Sequence, residues 1–226
     1  RIGIYGLMVV PLMLGLALVF ALVLDHHRVR FRQVSRIVIF LPYAVPAVIA
    51  TLLWGFLYLP EVSPFHQTLE ALGLPSVDLM GQETVFVALT NIAVWGGTGF
   101  NMLVLYTNLR AISSDLYEAA RIDGASELQI ALRIKLPVLT PALIMTALFS
   151  MISTLQVFSE PVTLSPLSNA ISTTWSPLMK VYRDAFVRDD IHLAAATSVI
   201  IAVITLALSY AFLRLVQSRA FAQEER

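Results

Sequence analysis

Hydroxyl and amide side chains set at helical spacing inside long apolar runs are the groups best suited to do chemistry here. That chemistry is hydrogen bonding to a polar, uncharged ligand rather than bond making. Thr146, Ser150, Ser153 and Thr154 recur at i, i+4, i+7 and i+8 and so share one helical face. Asn91, Trp95, Thr98, Asn101 and Asn108 interrupt a second apolar run, with Asn101 and Asn108 seven residues apart on one side. Two readings fit. Ser, Thr and Asn serve as hydrogen-bonding glue between membrane helices, or these faces line a solute pathway in which Trp95 stacks on the solute. Residues for catalysis do not assemble from the sequence. There is no Cys, and His26, His27, His66 and His192 follow no ligand spacing. No GxxxxGK[ST] loop occurs, since Lys135 and Lys180, the two lysines, precede Leu and Val. Neither a catalytic residue nor a metal site nor a cofactor bound by this chain is expected.

The elements that must position these groups are membrane helices. In 226 residues, 58% are hydrophobic, more than a soluble domain of this size would bury, so the lipid bilayer is the expected solvent. About 20 apolar residues cross a hydrocarbon core of roughly 30 Å. Five segments qualify: Ile4 to Leu24, Ile37 to Leu59, Val85 to Leu109, Pro141 to Phe158 and Leu193 to Val216. Their runs lack the alternation of barrel strands, which leaves an all-α polytopic helix bundle. Pro11, Pro42, Pro46, Gly55, Gly96, Gly97, Gly99 and Pro141 punctuate the spans and permit kinks or close helix approach. A hinge or cavity role for the three glycines of the third span is the sharper reading. No span centre carries Lys, Arg, Asp or Glu, which weighs against an ion-coupled secondary transporter. Glu160, beside Pro161 at the outer end of the fourth span, reads as a gate or as an interfacial charge.

Charge distribution gives the orientation. Lys+Arg and Asp+Glu balance at 15 each, so no field suits nucleic acid. Arg28, Arg30, Arg32 and Arg36 follow the first span. Arg110, Arg121, Arg133 and Lys135 follow the third, and Arg214, Arg219 and Arg226 close the chain. The segment from Pro60 to Thr84 has four acidic residues and no basic one. The side bearing residues 110–135 and the C-terminus is therefore expected to be cytoplasmic. The outer stretch from Pro161 to Ile191, with Trp175, Lys180, Tyr182, Arg183 and Arg188, reads as an interfacial helix or as a surface for an extracytoplasmic partner.

Between the third and fourth spans lies a polar helix-turn-helix. Asp115 with Glu118 reads as an N-cap and capping box, Gly124 as the residue that ends the first short helix, and Ser126 with Gln129 as a second start. Pro137 is expected to end the second helix before Pro141 opens the next span. Ala119, Ala120 and Ala125 let another surface approach closely, and the charged rim gives register.

Glu118-Ala119-Ala120, three residues, Gly124, nine residues and Ile134-Lys135-Leu136-Pro137 resemble in full the signature of the membrane subunits of binding-protein-dependent ABC importers. Phe40-Leu41-Pro42, Trp95, Leu155-Gln156-Val157-Phe158 and Tyr182 to Phe186 extend the resemblance to the carbohydrate and glycerol-phosphate, or maltose-type, branch. Thr163-Leu164-Ser165-Pro166-Leu167-Ser168 departs from the glycine-rich turn common in sugar permeases. The resemblance implies a single transmembrane domain over residues 1–226, a coupling loop over 111–140, and a further helix upstream of Arg1. Glu118, Ala119, Ala120, Asp123, Gly124 and Ala125 would then meet an ATPase. Ala93, Gly97, Ser150, Thr154 and Val157, with Trp95 and Asn101, would line the solute pathway. The implied machine works by alternating access in the inner membrane of a bacterium or archaeon. It pairs this permease with a second homologous permease as a heterodimer, with nucleotide-binding subunits that use ATP and Mg, and with an extracytoplasmic solute-binding protein. A sugar is the expected cargo, with a glycerophosphodiester or an amino acid as alternatives.

Overall fold

Apolar runs of membrane length become helices, and proline decides where they bend. The computed structural model describes residues 1–226 except 27–28, 74, 76–77 and 225–226, with the backbone alone described at 65 and 217–224. The charges read at Arg28 and Arg226 and the Arg219 side chain lie outside that description. Helix α1 (Ile2–Asp25) buries Tyr5, Val9, Met13, Ala17 and Ala21, one residue per turn. Its opposite face exposes Leu7, Leu12, Val19 and Val23, the pattern of a helix with one protein face and one lipid face. Ala17 and Ala21 are fully buried, and small residues at this spacing let α1 lie close along α5 (Val85–Arg110).

The second expected span is not one straight helix. It is α2 (Arg32–Ala44) followed by α3 (Ala47–Tyr58), bent by 94°. Pro46 removes a backbone donor and excludes the helical region for the residue before it, so Val45 is extended at φ −77°, ψ 128°. Counting this bent pair as one span, up to five segments among the described residues are long and apolar enough to cross a membrane. Where the two halves meet α5, Gly99 is required for close approach. A Cβ there would stand 2.3 Å from the carbonyl oxygen of Ile39 and 2.7 Å from Phe40 Cα.

Outside the spans, α4 (Pro64–Ala71) is capped by Ser63, whose hydroxyl accepts from the His66 N–H at 3.2 Å. Beyond α5 come α6 (Ser114–Ile122) and α7 (Glu127–Ile130), then a π-helical turn (Ala131–Lys135) that runs directly into α8 (Leu136–Leu155). Pro137 therefore does not end a helix, contrary to the sequence expectation. The donor it lacks would have bonded Arg133, and the ladder ahead of it widens, with Leu136 N–H reaching the Ala131 carbonyl. The fourth span consequently begins before Pro141. It breaks at Gln156 and resumes as α9 (Ser159–Leu164).

Helix α10 (Pro177–Tyr182) and a second π-turn (Arg183–Val187) lead to α11 (Ile191–Glu224). Asp184, fully buried, ties this outer segment together by pairing with Lys180 at 2.5 Å and Arg183 at 3.1 Å. These cations, Lys180 foremost, hold its carboxyl below the usual range. Apolar side chains gather into two clusters along α1 and α5. One runs from Tyr5 to Met13 with Leu89, Ile92, Leu164 and Trp175. The other runs from Ala17 to Leu24 with Met102, Leu105 and Leu139.

Candidate functional site

Two places stand out, joined by α8. The first is the elbow of α6 and α7. Ser113, not Asp115, caps α6, its hydroxyl accepting from the Asp115 N–H at 3.3 Å. The helix starts two residues earlier than the Asp115–Glu118 pattern suggests, because Ser113, two positions upstream of Asp115, already accepts from the first free donor. At the other end Gly124 adopts φ +82°. The Gly124 N–H reaches the Arg121 carbonyl at 3.0 Å and the Ala125 N–H reaches the Ala120 carbonyl at 2.9 Å. That pair of bonds is a Schellman cap, which needs a left-handed residue at this point. Ser126 and Gln129 form the expected capping box. Arg121 Nε donates to Glu127 Oε1 at 2.9 Å across the turn.

Glu118, Ala119, Asp123 and Gly124 are exposed, and Ala120 and Ala125 are half-buried. The spacing of alanines did not reveal the larger apolar contribution: Ile122 is 86% and Leu128 68% exposed on the same elbow. Both side chains leave apolar area facing outward from an otherwise polar turn.

The second place is a cavity of about 700 Å³ between α1, the α2–α3 bend, α5, α8 and the α8–α9 break. Ala93, Gly97, Asn101, Ser150, Thr154 and Val157 all line it. Trp95 is not among the lining residues. Its ring meets Trp54 edge-on, centroids 5.8 Å apart, in the packing of α5 on α3.

The polar groups of the spans make two kinds of hydrogen bond. Asn91 donates to the Tyr58 hydroxyl at 2.8 Å, and the Ser150 hydroxyl donates to Asn101 Oδ1 at 3.5 Å, so these pairs join helices. Thr98, Thr146 and Thr154 donate to carbonyls one turn back, at 2.6, 2.9 and 2.7 Å. This leaves their oxygens able to accept from a neighbour. Gln156 and Glu160, brought in by the break after Leu155, also line the cavity. Glu160 therefore faces the cavity from the first turn of α9 and does not end the span. Tyr5 lines it from α1, a contribution no local pattern signals.

Between the two places sits a pair of residues 110 positions apart in the sequence. Lys135 Nζ lies 2.5 Å from Asp25 Oδ2, with both side chains under 10% exposed, and 4.9 Å from the centre of the Tyr117 ring. Burial, helped by the Asp25 charge, pushes the Tyr117 phenol up to about 12. The end of α1 is thus clamped to the root of the elbow. Among the described residues no cluster of three or more His, Cys, Asp or Glu could hold a metal ion.

The model of the family described as "Binding-protein-dependent transport system inner membrane component" matches residues 13–222. The chain is similar to the trehalose/maltose transport system permease protein MalF of Thermococcus litoralis, 39% identical over 144 residues, which are 63% of this chain and 48% of that protein. It is also similar to the sn-glycerol-3-phosphate transport system permease protein UgpA of Agrobacterium fabrum, 30% identical over 220 residues, 96% of this chain and 73% of the relative. The chain thus spans about half the length of the Thermococcus protein and nearly three quarters of the Agrobacterium one. Among solved structures, a chain of a bacterial alginate ABC transporter, crystallised with an alginate pentasaccharide-bound periplasmic protein, superposes with a TM-score of 0.83. Its sequence identity is 22%, over 96% of this chain and 77% of that one, a likeness of fold.

Proposed function

Because this chain belongs to the family of binding-protein-dependent transport system inner membrane components, we propose that it is a permease subunit of an ATP-driven importer and encloses, with a second permease, the route of a small polar solute, most simply a sugar. The observation that carries this reading is the exposed elbow rooted on α8, the helix that also walls the cavity. Similarity to permeases of trehalose/maltose and sn-glycerol-3-phosphate systems supports the class of cargo. The permease itself is non-catalytic. ATP and Mg are used by a separate nucleotide-binding subunit, and the solute arrives from an extracytoplasmic binding protein.

In this reading the elbow faces the cytoplasm of a bacterial or archaeal cell. Glu118, Ala119, Ala120, Asp123, Gly124 and Ala125 seat in the ATPase, with Ile122 and Leu128 supplying apolar contact. Closure of the ATPase pair on nucleotide moves the elbow, and α8 carries the motion to the cavity wall. The ATPase must bind the elbow differently in its two states, since equal affinity would shift nothing.

Gly124→Asp tests the coupling role. An aspartate at φ +82° strains the cap by about 1–3 kcal/mol and sets a charge in the turn. Membrane insertion and yield should match the parent. Recovery of the ATPase with the tagged chain, and solute uptake, should fall at least ~10-fold, the equivalent of about 1.4 kcal/mol of docking energy. Uptake at the parental rate sinks the coupling role. A tagged chain that purifies alone and transports without ATP would instead indicate an ion-coupled carrier.

A further inference from the structure

The cavity contains one feature that the importer reading leaves unused. Tyr5 is 1% exposed, lines the cavity, and its hydroxyl finds no hydrogen-bond partner among the described residues. A buried phenol without a partner forfeits free energy unless something that visits the site supplies the bond. The ring is fixed edge-on against Trp175, centroids 5.4 Å apart, so the hydroxyl cannot easily swing away. Glu160 lines the same cavity. Among the described lining residues it is the one acidic side chain, and no Lys, Arg or His lines the cavity with it. The apolar part of the wall includes Tyr43 and Phe100, stacked at 4.9 Å.

Together these supply a donor and acceptor in the phenol, acceptors in the carboxylate, and flat apolar faces. That combination fits a ring bearing hydroxyls on its edge and C–H groups on its faces. A phosphate or carboxylate in the same place would meet Glu160 with no cation to offset the repulsion, in a setting drier than bulk water. We propose that Tyr5 and Glu160 form the hydroxyl-binding end of the cavity and make this permease select neutral polyhydroxylated solutes over anionic ones. The inference rests on the importer reading and narrows its substrate class.

The test uses the complete complex purified through a tag on this chain and reconstituted in nanodiscs. Saturation-transfer NMR would be recorded with trehalose, trehalose 6-phosphate or choline, each at millimolar concentration. The parent should transfer magnetisation to trehalose at least ~10-fold more than to its phosphate, the discrimination expected when an unpaired charge is set against the wrong ligand. Glu160→Gln should bring the phosphate signal up towards that of trehalose. Tyr5→Phe should lower the trehalose signal severalfold without admitting the phosphate. Each variant is checked for parental gel-filtration behaviour, so that misfolding is not read as lost binding.

Equal signals from the two sugars in the parent, no signal from trehalose, a dominant signal from choline, or a ratio unmoved by Glu160→Gln overturns the inference. The importer reading is scored separately by whether an ATPase is present in the same preparation. With the ATPase present and the ratio unmoved, only the selectivity assignment falls. With the ATPase absent and the ratio as expected, only the importer assignment falls.

Discussion

Asp25→Ala is expected to destabilise the folded chain by about 3–5 kcal/mol, because it leaves the Lys135 ammonium buried without its counter-charge. Both side chains are under 10% exposed and 2.5 Å apart, so water cannot take over the role of the lost carboxylate. The Tyr117 ring at 4.9 Å offers the ammonium a cation–π contact, worth about 0.5–2 kcal/mol and too small to compensate. Nor can its phenol stand in as an anion, since it is held protonated up to about 12. A loss of this size is a large share of the stability of an ordinary domain.

Removing both charges should behave differently. Asp25→Ala combined with Lys135→Met leaves an apolar contact of similar volume and should recover most of the loss, as buried pairs replaced together often do. Unfolding midpoints in dodecyl maltoside, followed by circular dichroism, would measure both variants. A single variant as stable as the parent would show that the pair contributes nothing. A rescued double variant that folds but couples ATP hydrolysis poorly to uptake would show that the clamp also transmits motion.

Gly99→Ala should rank next, at about 1–3 kcal/mol, the usual cost of adding a methyl group to a packed interface. The obstacle is backbone: Ile39 O at 2.3 Å and Phe40 Cα at 2.7 Å from the added carbon. Helix α2 would have to retreat from α5, and the bend at Val45–Pro46 would shift with it. Gly97→Ala provides the comparison. Its added carbon would lie 2.3 Å from Met13 Sδ, the far part of a flexible side chain that can change rotamer. That substitution should cost well under half as much in the same unfolding assay. Equal losses at the two positions would contradict the distinction between a backbone and a side-chain obstacle.

These two predictions draw on features that the sequence discloses unequally. The lengths and apolar character of the spans are written in consecutive residues, and so are the Ser126–Gln129 box and the glycine that ends α6. Each depends on groups no more than a few positions apart. Pro46 announces an irregularity, but a proline is compatible with anything from a mild kink to a right-angled bend, and the packing of α2 and α3 on α5 selects the latter. Asp25 and Lys135 are 110 residues apart, and a lysine beside other basic residues in a polar loop reads as solvated. Tyr5 and Glu160 are further apart still, each unremarkable among its own neighbours. Their meeting depends on how α1 lies against α5 and on the break after Leu155. Six of the seven candidate pathway residues line the cavity, five of them placed by the resemblance at fixed offsets from the Glu118–Gly124 motif. Trp95 departs from them because a large ring can turn sideways to pack on Trp54, a choice that backbone periodicity does not determine.

The widened turn at Ala131–Lys135 has a consequence for how the two ends of α8 are aimed. A π-turn accommodates an extra residue, and one residue of an α-helix corresponds to about 100° of rotation about its axis. Elbow and cavity wall are therefore indexed to each other by that turn, like two marks on a single shaft. A chain one residue shorter at this point could keep the Gly124 cap and the Ser150–Thr154 face intact and yet present its elbow in a different azimuth. The bearing of the elbow can thus be reset without altering either surface.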